Sequence, residues 1–184
     1  MKITNHLRLI LKELTEQAEQ VSEKQMVDLA NQICSSRQIF VMGKGRSGIA
    51  IQGLANRMMH MGLAAYVIGE TSTPHTEDGD LLIIGSGSGE TEALTVIAQK
   101  AKKANVLLAV ITGNKDSVLA KMADFLILLP GDSKQEAGLK KSIQPMGSLF
   151  EQLSFLVYDA LVLELMGRLN QTSEQMYLRH ANLE

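Results

Sequence analysis

Hydrophobic and polar positions follow two different periods along the chain, and each change of period marks a predicted element. Between residues 5 and 35 the apolar side chains recur at helical spacing, and Ser22 with Gln25 forms a possible capping box. We therefore expect two helices that join near residue 21. From residue 38 onwards, short unbroken aliphatic runs alternate with helical patterns, which is typical of buried strands in a parallel sheet.

The aliphatic runs predict strands, and the helical patterns lie between and after them. The predicted strands cover residues 38–43, 64–69, 80–86, 106–112 and 124–130. The predicted helices cover residues 47–62, 90–104, 117–122 and 148–167, and a last helix follows a capping box formed by Thr172 and Gln175. This order predicts an α/β fold whose parallel sheet is covered by helices on both faces.

The 184 residues are enough for a single domain with one sizeable core. We interpret 1–36 as N-terminal helices, 37–130 as the parallel α/β core and 147–184 as C-terminal helices. Residues 131–146 form the one long polar loop. The helix at 148–167 is apolar on most faces, so it must be buried on several sides, which suggests a subunit interface.

Composition and charge narrow the classes of protein. Hydrophobic residues make up 45%, charged residues 21%, and the net charge is -2, so no basic excess points to nucleic acid as a partner. The single cysteine, Cys34, excludes an internal disulfide and fits a reducing compartment. We find no apolar run of about 18 residues and no signal peptide, so we expect a cytoplasmic protein without a membrane span.

A glycine-rich turn follows the first predicted strand, in the stretch FVMGKGRSGIA. Gly43-x-Gly45-x-x-Gly48 has the spacing of a dinucleotide-binding fingerprint, and Glu70 follows the second strand at a distance suited to a ribose hydroxyl. Ser47 in the same turn suits a small phosphate ester instead, although it could also be a helix cap. The turn alone leaves both ligands open.

A second turn, GSGSGET, follows the third predicted strand and leads into a helix N-terminus, which favours an anion. Ser86, Ser88 and Thr91 place three hydroxyls there, as a phosphate monoester would require. In a doubly wound sheet both turns would open side by side at the C-terminal edge. We therefore favour one bound sugar phosphate. The alternative is that Ser88 only caps the helix while Gly87 and Gly89 only permit the turn.

At these residues the chain resembles known proteins. SGSGET after a strand is similar to the sugar isomerase (SIS) domain, and the stretches VMGKGRSG, MHMGLAAYVIGETSTP, GDLLI, QPMGSLFEQ and RHANLE resemble the 6-phospho-3-hexuloisomerase family. That family interconverts 3-hexulose 6-phosphate and fructose 6-phosphate in the ribulose monophosphate route of formaldehyde fixation. Gly85 departs slightly from the pattern, because a β-favouring residue is expected there.

The resemblance implies one doubly wound domain with a five-stranded parallel sheet in flavodoxin-like order, a tetramer, and neither metal nor nucleotide cofactor. It also implies functional coupling to a 3-hexulose-6-phosphate synthase. The residues implied to bind substrate are Ser47, Ser86, Gly87, Ser88, Gly89, Glu90 and Thr91. Glu151 is implied to be the proton acceptor.

Moving a carbonyl by one carbon requires a base that takes a proton from one carbon and returns it to the next. Glu151 is the candidate, because Leu149, Phe150 and Leu153 give it partly apolar surroundings. The alternative is that Glu151 completes a capping box with Ser148. The role of base and the role of capping residue conflict with each other, so we expect Glu151 to point away from the Ser148 amide.

His180 is the second catalytic candidate, for ring opening or for moving a proton between substrate oxygens. A solvated or helix-terminal role is the alternative, and a catalytic role would require the tail helix to reach a pocket, including one of a neighbouring subunit. The histidines are scattered without metal-ligand spacing, so we expect no metal. Three rival functions remain open: a non-catalytic sugar-phosphate sensor, a nicotinamide enzyme, and an isomerase of a pentose or heptose phosphate.

Overall fold

The computed structural model describes residues 2–130 and 142–183, so most of the predicted polar loop at 131–146 lies outside the described residues. The helices are α1 (Ile3–Ala18), α2 (Glu23–Ser35), α3 (Gly45–His60), α4 (Glu92–Lys103), α5 (Val118–Met122), α6 (Ser148–Arg168) and α7 (Ser173–Tyr177). The strands are β1 (Ile39–Gly43), β2 (Ala65–Val67), β3 (Leu81–Gly85), β4 (Leu107–Thr112) and β5 (Phe125–Leu128).

The strands form a five-stranded sheet in the order β2-β1-β3-β4-β5. Every neighbouring pair in it is parallel. This confirms the predicted α/β fold and its flavodoxin-like strand order. The direction of winding reverses between β1 and β3, which is the switch point where ligands bind in open α/β sheets.

The core is divided between the two faces of the sheet, as the period of a strand requires. In β1, Ile39 and Val41 point into the layer that holds α1, α2, α3, α6 and Met176 of α7. Phe40 points to the opposite layer, where it joins Leu94 of α4 and Leu119 of α5. Because both faces are covered, the aliphatic strands are buried on two sides.

The long helix α6 is partly exposed despite its apolar sequence. Its 21 residues include a buried face, but Phe155, Leu156 and Leu163 are 44%, 50% and 71% exposed in the isolated chain. Across the described ranges, no helix is both long and apolar enough to cross a bilayer.

Candidate active site

The two glycine-rich turns begin at paired positions. Gly43 ends β1 and Gly85 ends β3, and these two residues are direct partners in the parallel ladder. After them the chain turns into α3 on one side and, through residues 86–91, into α4 on the other. The turns therefore open beside each other at the C-terminal edge, at the switch point, as the sequence predicts.

Close packing explains the glycine spacing of the first turn. A Cβ on Gly43 would lie 2.8 Å from the Cα of Gly48, and a Cβ on Gly48 would lie 2.9 Å from the carbonyl oxygen of Gly43. Gly45 has a φ of 57°, which glycine adopts without strain. These glycines let α3 approach β1, so their spacing needs no nucleotide to explain it.

Ser47 is the third residue of α3 and not its cap. The helix begins two residues earlier than the sequence predicts, because Gly45 makes the turn possible, and Lys44 occupies the N-cap position. Since no side-chain cap bond forms at this helix start, the capping interpretation of Ser47 is not supported.

The second turn is fixed by its own hydrogen bonds. Ser86 Oγ accepts from the Gly89 amide, and Ser88 Oγ accepts from the Glu90 amide, both at 3.2 Å. Gly89 has a φ of 66°, and a Cβ there would lie 2.1 Å from Ser117 Oγ. The turn therefore requires glycine at residue 89. This agrees with the alternative interpretation in one respect, namely that Gly89 permits the turn.

The interpretation of Ser88 as the helix cap is wrong. Helix α4 begins at Glu92 with Thr91 at its N-cap position, and the Thr91 side chain makes no capping bond. Ser88 is exposed, whereas Ser86 is only 4% exposed. The N-terminus of α4 thus presents backbone amides beside the Thr91 hydroxyl, an arrangement that suits an anion.

Glu90, a predicted substrate ligand, has a structural contact. Its Oε1 accepts a hydrogen bond of 3.0 Å from the amide of Val118, the first residue of α5. This bond ties the second turn to the start of α5. Any contact between Glu90 and a ligand would have to accommodate it.

The start of α6 packs on the second turn. A Cβ on Gly87 would lie 3.0 Å from the Phe150 ring, so the ring covers this glycine directly. Gly87 is also held from the other side, because its carbonyl accepts from the amide of Gly113 at 3.1 Å. Glu151 follows Phe150, and this contact therefore brings its helix turn to the same sheet edge.

Glu151 does not form the capping box. Gly147 is the N-cap of α6, with a φ of 79°. The Ser148 amide and the Ser148 hydroxyl both donate to the carbonyl of Pro145, at 3.0 and 2.7 Å. The expectation that Glu151 points away from the Ser148 amide is therefore confirmed.

Glu151 meets an arginine instead. Arg46 Nε lies 3.1 Å from Glu151 Oε2, and Arg46 Nη1 donates to Ser148 Oγ at 3.2 Å. The two residues line a cleft of about 360 Å³ whose other walls are mostly apolar: Leu11, Leu14, Ile49, Ala50, Gln152, Phe155 and Leu156. Arg46 was not among the site residues predicted from the sequence, because its partner lies more than 100 residues away. One sequence feature could have identified it: Arg46 is a positive charge at the start of a predicted helix, where negative charges are preferred.

His180 lies far from these groups within its own chain. Its ring stacks on His60 at 5.3 Å and on Tyr177 at 6.1 Å, and Arg179 Nη1 donates to the His60 carbonyl at 3.0 Å. His60 is the last residue of α3, while Ser47 is in its first turn. At 1.5 Å per residue these ends are about 20 Å apart. One chain thus brings Ser47, residues 86–91 and Glu151 together, but not His180.

Within residues 2–130 and 142–183 there is no group of three or more His, Cys, Asp or Glu side chains that could hold a metal ion. The expected absence of a metal stays a prediction.

Comparison with known proteins finds the same family along the whole chain. A profile of the SIS domain matches residues 32–156. A Bacillus subtilis protein named 3-hexulose-6-phosphate isomerase is 48% identical over 185 residues, which cover 100% of both chains. A Mycobacterium gastri protein of the same name is 42% identical over 182 residues, covering 99% of this chain and 92% of the relative.

A solved structure agrees with these relatives. A Methanococcus jannaschii protein has a TM-score of 0.83 and 30% identity, and the match covers 98% of this chain and 99% of that one. Its crystal structure is described as inferring a molecular function of 3-hexulose-6-phosphate isomerase.

Proposed function

We infer the reaction of this chain from its family, since the chain belongs to the SIS-domain 3-hexulose-6-phosphate isomerases. It is an isomerase, and we propose that it interconverts D-arabino-3-hexulose 6-phosphate and fructose 6-phosphate. The observation that carries this proposal is the packing of Phe150 on Gly87. That contact brings the only carboxylate of the first turn of α6 to the edge where both phosphate-suited turns open.

In this proposal the phosphate binds at the two turns. Ser47 in the first turn of α3, the hydroxyls of Ser86, Ser88 and Thr91, and the Gly87 amide surround it. The amides of Gly89 and Glu90 join them by exchanging their bonds to Ser86 Oγ and Ser88 Oγ for bonds to the phosphate. Helix N-termini favour negative charge because their first amides have no partner within the helix. Both α3 and α4 start at this edge, so two helices contribute.

Glu151 then transfers the proton. Its carboxylate removes the proton from C2 of the 3-ketose, and the electron pair forms the C2–C3 double bond of an enediol or enediolate. The same carboxylic acid returns the proton to C3, while the hydroxyl proton moves from O2 to O3 and the carbonyl forms at C2. No electrons leave the substrate, so the reaction needs no redox cofactor.

Replacing the base tests this proposal. Glu151→Gln keeps the size of the side chain but cannot accept the proton, and we expect a rate loss of at least about 100-fold, the usual contribution of a general base. The assay combines ribulose 5-phosphate, formaldehyde and a hexulose phosphate synthase, and follows fructose 6-phosphate through a coupled NADP reaction. A variant that keeps most of its rate would remove Glu151 from the mechanism.

Other substrates are separated by the same preparation. Turnover of a pentose or heptose phosphate in preference to the hexulose would reassign the substrate. Binding of sugar phosphates without any turnover would indicate a sensor. Stabilisation by NAD(H), but not by a ketohexose 6-phosphate, would indicate a nicotinamide enzyme.

We also propose the organisation in which the reaction takes place. The chain forms one domain, because its main core includes residues from Leu14 in α1 to Met176 in α7. It assembles as a homotetramer through apolar side chains that the isolated chain leaves exposed.

Its substrate comes from a 3-hexulose-6-phosphate synthase in the cytoplasm, a reducing location that suits the free, exposed thiol of Cys34. The net charge of -2 gives no attraction to nucleic acid.

For His180 we propose a role in a neighbouring subunit. Its position at the far end of α3 rules out contact with a substrate held at Ser47 of the same chain. The tail that carries it is largely exposed, with Tyr177 and Leu178 at 76% and 84%. These exposed apolar side chains support a partner surface close to His180.

A further inference from the structure

Arg46 joins the two helix starts that build the candidate site. Its guanidinium lies 3.1 Å from Glu151 Oε2 through Nε, and its Nη1 donates to Ser148 Oγ at 3.2 Å. One side chain from the first turn of α3 therefore contacts two side chains in the first turn of α6. Ser47 is the next residue after Arg46, so the same turn carries a proposed phosphate ligand.

The contact with Glu151 is an ion pair and not an aligned hydrogen bond. Glu151 Oε2 is buried and accepts no hydrogen bond from the described residues, although Arg46 Nε is close to it. The Glu151 side chain is 18% exposed, whereas that of Arg46 is 59% exposed. The carboxylate thus depends on Arg46 for its compensating charge more than Arg46 depends on the carboxylate.

The location of Arg46 is unfavourable for α3 itself. A positive charge in the first turn of a helix opposes the macrodipole, and the first turn of α3 contains no acidic residue to compensate it. Glu151 supplies that negative charge from a different helix. A residue that breaks a local rule and is compensated at the site is expected where function requires it.

We propose that Arg46 is a positioning residue for the isomerase reaction, acting through Glu151. This inference rests on the proposed function. Arg46 holds Oε2, and the proton is exchanged at Oε1. An arginine suits this task because its guanidinium stays charged and is rigid and planar. Positioning matters because a misplacement of about 1 Å at a catalytic group costs on the order of 100-fold in rate.

A double-mutant cycle tests the proposal. Arg46→Gln in the wild-type background should lower kcat by about 10- to 100-fold and leave KM within about threefold, since ground-state binding is retained. Arg46→Lys should recover part of the loss, because it restores the charge without the planar fork. In the Glu151→Gln background, Arg46→Gln should lower the residual rate by less than about twofold, since the group it positions is already inactive.

Arg168→Gln is the matched control. Arg168 Nε pairs with Glu164 Oε1 at 2.7 Å on the same helix as Glu151. At 1.5 Å per residue, Glu164 and Arg168 lie about 20 and 25 Å from Glu151 along the helix. The control should leave kcat and KM unchanged. Circular dichroism and thermal unfolding of each variant check that the fold is retained.

Two results would overturn the role of Arg46. A large rise in KM with kcat retained would show that Arg46 binds the phosphate directly. Equal losses in the wild-type and Glu151→Gln backgrounds would show that it acts independently of Glu151. A wild-type protein that is inert toward the hexulose phosphate would instead refute the proposed function, which is a separate outcome of the same assay.

Discussion

At the scale of single residues, Gly85 shows why a strand can require glycine. A Cβ at this position would lie 2.8 Å from the hydroxyl of Tyr158 on α6. Tyr158 is 2% exposed, its hydroxyl has no hydrogen-bond partner among the described residues, and burial raises its pKa. The nearby Ser154 hydroxyl donates to the Phe150 carbonyl instead. The departure from β-preference at Gly85 therefore makes room for a phenol.

The contact between Gly85 and Tyr158 predicts that a substitution at one position can be rescued by a substitution at the other. Gly85→Ala should destabilise the fold by about 1–3 kcal/mol, because overpacking forces neighbouring atoms to shift. Tyr158→Phe removes the clashing oxygen and an unsatisfied buried polar group, so it should be neutral or stabilising alone and should restore the Gly85→Ala variant. Denaturant unfolding measures all three proteins.

Gly167→Ala is the control for this pair of substitutions. Gly167 lies in α6, and apart from its chain neighbours and the nearby backbone of its own helix no atom lies within 4 Å of a Cβ built there. The substitution should therefore stabilise the fold slightly, by about 0.4–1 kcal/mol. If Gly85→Ala costs the same with Phe at position 158 as with Tyr, the clash is not the cause.

Local sequence patterns predicted helix caps only in part. Thr172 and Gln175 form both bonds of the capping box. Ser22 accepts from the Gln25 amide, but Gln25 Oε1 accepts from the Leu128 amide in β5. Ser148 and Glu151 form neither bond. A pattern of four residues contains no information about partners 100 residues away, and Arg46 was missed for the same reason.

At the scale of elements, the sequence predicted the order and type of every described strand. Aliphatic runs are reliable here because a parallel sheet buried on both faces needs them. The boundaries were less accurate: β2 covers only residues 65–67 of the predicted 64–69. It is an edge strand that pairs with β1 alone, so fewer ladder bonds extend it.

The tail helix α7 is attached to the end of α3 through His60. This histidine is only 4% exposed, and burial, followed by the charges of Arg57 and His180, lowers its pKa from 6.5. Tyr177 stacks on His180, and Arg179 binds the His60 carbonyl. A proton on His60 would thus face two arginines and a second histidine.

The tail should therefore loosen in acid. Because the folded pKa of His60 is lowered, its contribution to stability is complete above 6.5 and is lost as the pH falls toward the folded pKa. The hydrogen-exchange protection factors of residues 173–183, which correct for the base-catalysed intrinsic rate, should fall as the pH decreases from about 7.5 to 5. His60→Gln should reduce that dependence, and His75→Gln, which changes an exposed loop histidine, should not. An unchanged pH dependence in His60→Gln would assign it to another group.

At the scale of the whole molecule, α3 separates the two proposed catalytic groups. Ser47 and Glu151 lie at its start, and His60 with His180 lies at its end. A site that uses both Glu151 and His180 would have to be shared between subunits of a closed oligomer. In that case the assembly would be required for activity.

Mixed oligomers test this arrangement. Glu151→Gln and His180→Gln, each alone, should be impaired, the latter by at least about tenfold. Coexpression with two affinity tags gives mixed oligomers, in which about a quarter of randomly assembled sites combine both intact residues. Recovered activity would support a shared site. Mixtures that stay inactive would place both residues in one subunit's site, and light scattering gives the number of subunits.

The packing of Phe150 on Gly87 also constrains how the enzyme can move during turnover. Glu151, the proposed proton acceptor, lies in the first turn of the 21-residue helix α6, whose inner face is packed into the core beside the sheet. Moving the first turn of α6 alone would break the contact between Phe150 and Gly87. Moving the whole helix would disrupt the core. If Glu151 is the base, we therefore expect it to stay in place through the catalytic cycle, while elements other than α6 move to admit the substrate and release the product.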